Sequence, residues 1–104
     1  MSITEEFIRN EVKNETYEIS IHADDERLND ELTIEEIEYV LNHCEIIERY
    51  PFDKRGESCL IYGGTPERIP VHIVCGKNSH EHLFVITVYI PKMPKWKNPC
   101  IRNQ

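Results

Sequence analysis

The spacing of apolar residues changes near the middle of the chain. In the N-terminal half, apolar residues recur at helical spacing over residues 3–13, and residues 16–21 then alternate like a short extended lead-in. Residues 22–32 have the composition of a second helix. Thr33 and Glu36 have the spacing of a capping box, which predicts a third helix beginning at this point.

The second half of the chain reads as strands. Strands are predicted over residues 45–50, 58–62, 71–75 and 83–90, and glycine or proline lies in the intervening turns. Short turns between strands favour antiparallel pairing, and the longest and most apolar strand, 83–90, should be central. We therefore predict an α+β fold in which two to three N-terminal helices pack on one face of a four-stranded antiparallel sheet.

The length of the chain fits one domain. Its 104 residues suffice for one hydrophobic core, so we expect a single domain over residues 1–104. Within it, residues 1–15 should form a peripheral helix. Three prolines oppose ladder pairing after the last strand, so we expect an irregular tail over residues 91–104.

The pleat of the predicted strands sorts side chains onto two faces. In the last strand the uniformly apolar set should face the helices: Phe84, Ile86, Val88 and Ile90. In the strand before it, the corresponding apolar set is Val71, Ile73 and Cys75. On this assignment His72, Thr87 and Tyr89 share the opposite face of the sheet.

Charge is distributed unevenly along the chain. The net charge is −7, yet residues 1–50 carry fifteen acidic and four basic residues, whereas residues 51–104 carry four acidic and eight basic residues. Such polarity is compatible with a basic surface beside an acidic, solvated one. No apolar run is long enough to cross a membrane, and the acidic start has no signal-peptide core, so we expect a cytoplasmic protein with reduced cysteines and no membrane partner.

Several motifs together resemble a known family. HADDERL, EIIERYP, SCLIYG, ERIPVHIV and ITVYIPKMPKW resemble, in this order, the family catalogued as domain of unknown function 4258, over about residues 17–97. The resemblance implies the fold of RelE-type and barnase-like ribonucleases, whose sheet is the active surface, and an antitoxin-like partner protein. One departure concerns Asp30 and Glu31, which stand where relatives tend to carry a basic residue and a glycine.

Cleavage of RNA by attack of the 2′-hydroxyl needs a base, an acid and cations that stabilise the phosphate. The resemblance and the residue chemistry together nominate His22 and His72 for proton transfer and Thr87 and Tyr89 for orienting the substrate. The guanidinium groups for the phosphate would come from Arg27, Arg49, Arg55 and Arg68. Each nominated residue also has an ordinary structural explanation, such as helix capping for His22 or packing within a strand for His72.

No cofactor or metal site is indicated. His80 and His82 lie close together, but the paired ligand spacing of a zinc site is missing. Two hypotheses follow: an endoribonuclease, as the toxin of a toxin–antitoxin pair, or a catalytically inactive module that binds RNA or protein on the same fold.

Overall fold

The computed structural model describes residues 2–54, 56–92, 96–98 and 101–102. Three helices form where side chains can cap them: α1 (Glu5–Lys13), α2 (Ile21–Asn29) and α3 (Ile34–Asn42). The caps are hydroxyl groups, which accept backbone N–H groups of the first turn: Thr4 for α1, Ser20 for α2 and Thr33 for α3. The predicted capping box at Thr33 is confirmed, because the Glu36 carboxylate also accepts the Thr33 N–H.

The strands are β1 (Glu18–Ile19), β2 (Glu45–Tyr50), β3 (Ser58–Gly64), β4 (Pro70–Lys77) and β5 (Leu83–Tyr89). They form a five-stranded mixed sheet in the order β1-β5-β4-β3-β2. The predicted α+β class is confirmed. The predicted four-stranded antiparallel sheet is corrected, because the short lead-in β1 adds a fifth strand that pairs parallel to β5. This addition makes β4 the middle strand, where β5 was expected.

The C-terminal segment contains a second pairing. Strands β6 (Trp96–Asn98) and β7 (Ile101–Arg102) form a two-stranded antiparallel sheet. The expectation of a wholly irregular tail over residues 91–104 is thus corrected, because β6 lies between two prolines and β7 follows the last one, so neither strand contains a residue that opposes pairing.

The core lies between the helices and one face of the five-stranded sheet. The strands supply, among others, Cys59, Ile61, Ile73, Cys75 and Val85 to this core, and the helices cover them with Ile8, Val12, Ile37, Val40 and Leu41. The first helix is therefore not peripheral, since Ile8 and the preceding Ile3 are fully buried. Gly63 permits close contact between sheet and helix, because a Cβ there would lie 3.0 Å from the Val40 side chain and carbonyl.

A bulge in β5 changes which side chains face the helices. Val74 pairs with Thr87 but Cys75 pairs with Val85, so Ile86 is an extra residue in β5. Leu83 and Val85 consequently lie in the core before the bulge, as Val88 does after it. The predicted orientation of Val88 towards the helices is confirmed. The same prediction for Phe84 and Ile86 is wrong, because both line a cavity on the other face.

Carboxylates from the helical half accept backbone N–H groups of the strands. The three bonds are Ile46 N to Glu5 Oε2 at 3.1 Å, Leu83 N to Glu11 Oε1 at 2.7 Å and Val88 N to Glu26 Oε1 at 3.0 Å. The N–H group of Ile46 also lowers the pKa of the Glu5 carboxyl, since the bond favours the charged form. Some of the acidic side chains of the N-terminal half thus serve as hydrogen-bond acceptors for strand N–H groups.

No helix in the described ranges is both long enough and apolar enough to span a membrane.

Candidate functional site

One cross-strand row on the sheet face opposite the helices places a histidine between two tyrosines. Tyr62 pairs with His72 across β3 and β4, and His72 pairs with Tyr89 across β4 and β5. The His72 Nδ1 atom lies 3.1 Å from the Tyr89 hydroxyl oxygen, within hydrogen-bond distance. The His72 ring centroid lies 6.0 Å from that of Tyr62 and 5.2 Å from that of Tyr89, both in edge-to-face geometry.

The exposure of these groups differs sharply. His72 has 0% of its surface exposed, whereas Tyr62 and Tyr89 are half-buried. His72 is not packed against the helices, since its neighbours in β4, Val71 and Ile73, are the residues that face them. A substrate on this face would therefore meet Tyr89 before it met His72.

Thr87 occupies the adjacent row of the same face. It pairs with Val74, one position along the sheet from the His72–Tyr89 pair, and its side chain is half-buried. Thr87 and Tyr89 both follow the bulge at Ile86 and flank Val88, so strand alternation turns them to the face opposite to that of Val88. The structure thus places His72, Thr87 and Tyr89 on one face.

His22 lies in the first turn of α2, which packs along β5 at the start of the helix. The Ser20 N–H donates to the Val85 carbonyl and the Ser20 hydroxyl donates to the Ile86 carbonyl, both at 2.9 Å. One turn later, the Glu26 carboxylate accepts the Val88 N–H through one oxygen and lies 3.3 Å from His22 Nε2 through the other.

The Glu26 carboxylate ties an accessible imidazole to β5. The His22 side chain is 68% exposed, and Glu26 anchors it to the strand residue directly before Tyr89. The arrangement can fix the orientation of the imidazole ring. His22 therefore lies beside the end of β5 that contains Tyr89.

The nominated arginines are placed differently from one another. Arg27 Nε donates to Asp24 at 2.7 Å and its Nη1 donates to the Leu32 carbonyl at 3.1 Å, which fixes the end of α2. Arg49 Nη1 donates to the Ile3 carbonyl at 2.7 Å. Both guanidinium groups therefore have bonds within the fold, and Arg49 lies opposite Cys59 on the helix-bearing face.

The remaining two arginines lie in turns. Arg68 is exposed in the turn between β3 and β4, at the end of the sheet nearer to His72, with φ at 68°. Arg55 lies outside the described residues. Among the nominated arginines, Arg68 is the one nearest to His72 in the sequence.

A cavity of about 290 Å³ opens at the other end of the same face. Its floor contains Gly76, Phe84 and Ile86, and its walls include Glu18 and Asp53. Phe84 lines the cavity because it precedes the bulge in β5, and Ile86 does so because it is the bulged residue. The cavity contains none of the nominated residues that the structure describes.

Sequence reasoning did not single out Glu26 or Tyr62. Glu26 had a detectable signal, because it follows His22 by four residues on a predicted helix and so lies on the same helical face. Tyr62 had none, since its contact with His72 depends on the register of β3 against β4.

No cluster of three or more histidine, cysteine or acidic residues suited to a metal ion occurs among residues 2–54, 56–92, 96–98 and 101–102. His82 bonds instead with a helix carboxylate, its Nδ1 lying 3.1 Å from Glu11 Oε1.

Comparison with known families gives one match. The model of the family described as "Domain of unknown function (DUF4258)" matches residues 19–90, more than half of the chain and all of the elements from β5 back to α2. No curated protein and no solved structure matches the chain.

Proposed function

The chain belongs to the DUF4258 family, and from that premise we propose that it is a RelE- or barnase-like endoribonuclease, acting as the toxin of a toxin–antitoxin pair. The observation that carries the proposal is the His72–Tyr89 hydrogen bond of 3.1 Å on the face opposite the helices, with accessible His22 at the edge of the same strand.

The geometry suggests separate roles for the two histidines. His22 is exposed and is oriented by Glu26, so its neutral imidazole is suited to take the proton of the RNA 2′-hydroxyl. His72 is fully buried and acts as a positioning residue, fixing the Tyr89 hydroxyl through Nδ1. Tyr89, which is half-buried, is the group of this pair that contacts the substrate.

The proposed reaction is a transesterification without a metal ion. The 2′-oxygen attacks the adjacent phosphorus while His22 removes its proton, and the bond from phosphorus to the 5′-oxygen breaks. The Tyr89 hydroxyl gives its proton to the leaving 5′-oxygen and regains one from solvent. The products are a 2′,3′-cyclic phosphate and a 5′-hydroxyl end.

Charge on the phosphate has to be stabilised during this step. Arg68, exposed at the near end of the sheet, is the described arginine that we propose for it. Arg27 and Arg49 support the fold in this proposal, because their guanidinium groups bond to internal oxygens. Thr87 is proposed to orient the RNA backbone beside Tyr89.

The test is a cleavage assay with purified protein, a long single-stranded RNA and a chelator at neutral pH. We expect fragments with 5′-hydroxyl ends, and a loss of rate of at least about 100-fold in His22→Asn and in Tyr89→Phe, the scale of one general acid or base. The matched controls are His80→Asn, an exposed imidazole in a loop, and Tyr39→Phe, a tyrosine on α3. If the RNA stayed intact, or if the cleavage rate fell equally in the variants and the controls, the proposed ribonuclease activity would be refuted.

The toxin part of the proposal predicts a cellular effect. Expression of the wild-type chain in bacteria should arrest growth, and His22→Asn should relieve the arrest at equal protein levels. Continued growth with the wild-type chain, when the purified protein cleaves RNA, would separate the ribonuclease from the toxin role.

A second candidate is a non-catalytic RNA- or protein-binding module on the same fold. The complete burial of His72 and the internal bonds of Arg27 and Arg49 favour it, because they leave fewer groups for the reaction. This candidate predicts salt-dependent RNA binding without cleavage, or binding of a protein but not of RNA.

A further inference from the structure

The outward side of α2 exposes two large apolar side chains. Ile21 is 84% exposed and Leu28 is 57% exposed, although the opposite side of the same helix is fully buried at Ala23. Neither residue belongs to the hydrophobic core or to the half-buried apolar residues packed against it. Because apolar surface in water is unfavourable, a partner that covered both side chains would gain free energy from their burial.

The spacing of these residues is that of a seam between two helices. Asp25 follows Ile21 by four residues and Leu28 follows Asp25 by three, so the three side chains lie in one row along the helix. We call this row the α2 stripe. A spacing of four and three residues matches the side chains of a second helix, whereas an extended strand repeats every two residues. The exposed surface of α2 therefore favours a helix as its partner.

The charge at the centre of the α2 stripe indicates what kind of helix fits. Asp25 is exposed, and its carboxylate has no bonding partner among the residues that the structure describes. Asp24 differs from it, because that carboxylate accepts a hydrogen bond from Arg27 Nε at 2.7 Å. A second copy of α2 would place two Asp25 carboxylates together in the middle of the seam, where like charges repel. A lysine or arginine at this point would instead pair with Asp25.

We propose that the α2 stripe binds an amphipathic helix of another protein, in which two aliphatic residues lie seven positions apart with a lysine or arginine between them. The aliphatic side chains cover Ile21 and Leu28, and the cation pairs with Asp25. His22 directly follows Ile21 and is 68% exposed, so the bound helix also covers its imidazole. Binding does not depend on ribonuclease activity, whereas the inhibition that follows from covering His22 rests on the proposed function.

The experiment uses the full chain and a synthetic helix held by a hydrocarbon staple as the probe. The probe has two leucines seven positions apart and an arginine four positions after the first leucine. A matched peptide has glutamate in place of that arginine. Calorimetry measures the affinity, and amide NMR shifts locate the contact. We expect the arginine peptide to shift the amides of the α2 stripe and to bind at least about tenfold more tightly than the glutamate peptide.

Three variants and one control test the location. Ile21→Gln and Leu28→Gln should each weaken binding of the arginine peptide about tenfold, the scale of an apolar side chain at the centre of an interface. Asp25→Arg should reverse the preference, so that the glutamate peptide binds more tightly. Phe52→Gln removes an apolar side chain that is 94% exposed in the turn after β2, and it should leave binding unchanged.

Several results would overturn the proposal. They are no binding of either peptide, unchanged affinity in both glutamine variants of the α2 stripe, or an unchanged preference in Asp25→Arg. Self-association of the chain that Ile21→Gln abolishes would mean that a second copy covers the α2 stripe, and the proposal would be wrong.

The RNA-cleavage assay separates this interface from the proposed function. The arginine peptide should slow cleavage by the wild-type chain, and unchanged cleavage at a saturating concentration of peptide would refute the covering of His22. A chain that bound the peptide at the α2 stripe but cleaved no RNA would refute the ribonuclease and support the interface.

Discussion

The buried carboxylate of Glu11 should make a large contribution to stability. Glu11 has 9% of its surface exposed, and its Oε1 accepts the N–H of fully buried Leu83 at 2.7 Å. Glu11→Ala leaves that donor without its acceptor inside the protein. A charged hydrogen bond contributes about 1.5–3 kcal/mol, which at about 4–8 °C per kcal/mol corresponds to a fall in Tm of roughly 6–24 °C.

Thermal and urea unfolding, followed by circular dichroism, measure this loss. Glu6→Ala is the matched control, because Glu6 is an exposed carboxylate on the same helix and should change the free energy of unfolding by less than about 0.5 kcal/mol. If Glu11→Ala cost no more than Glu6→Ala, the carboxylate would not be satisfying the strand, and the reasoning would be refuted.

The same carboxylate gives a defined dependence on pH. Burial opposes its ionisation, but the Leu83 N–H and the His82 ring outweigh burial and lower the pKa of Glu11 below its usual 4.5. A lowered pKa in the folded state means that the stabilisation is complete above pH 4.5 and is lost as the pH falls through the folded pKa. The stability difference between wild type and Glu11→Gln should therefore shrink as the solution is acidified below pH 4.5; a constant difference would contradict the assignment.

Three further predictions concern the packing, the thiols and a helix cap. Gly63→Ala should destabilise by about 1–3 kcal/mol in urea unfolding, because the new Cβ would lie 3.0 Å from atoms of α3, whereas Gly64→Ala, whose nearest neighbour is at 3.7 Å, should cost clearly less. Burial raises the pKa of the Cys59 thiol to about 12 and raises that of Cys75 as well, so a thiol reagent at pH 8 should label both only after unfolding; rapid labelling of the native protein would contradict their burial. Thr33→Ala breaks the capping box of α3 and should cost about 1 kcal/mol, and an unchanged urea midpoint would show that the cap is dispensable.

Local patterns in the sequence predicted most of the elements. The capping box at Thr33 located the start of α3, and alternation located β2 at residues 45–50, the bounds that the structure has. These features depend on residues close together in the chain, which is why spacing alone detects them.

Features that depend on pairing between distant residues were not predictable. The parallel pairing of β1 with β5 involves only Glu18 and Ile19, too few residues for a periodic signal. The bulge at Ile86 lies after an unbroken apolar run, Leu83 to Ile86, so nothing in the sequence marks the change of face between Val85 and Val88. The face expected for Thr87 and Tyr89 agrees with the structure because both residues follow the bulge, where the expected alternation holds.

The candidate site could be predicted only in part for a related reason. Residue chemistry nominated His72 and Tyr89, but their 3.1 Å contact and the burial of His72 follow from strand register. The internal bonds of Arg27 and Arg49 likewise depend on where α2 ends and where α1 lies against β2.

The central claim is that RNA contacts the edge formed by α2 and the end of β5. The most direct test follows amide NMR shifts on titration with a 2′-O-methyl RNA. This RNA has no free 2′-hydroxyl group and therefore stays intact when it binds. The account predicts that the largest shifts occur at His22, Thr87 and Tyr89 and weaken with added salt. Shifts confined to the cavity around Gly76, or no shifts at low salt, would contradict it.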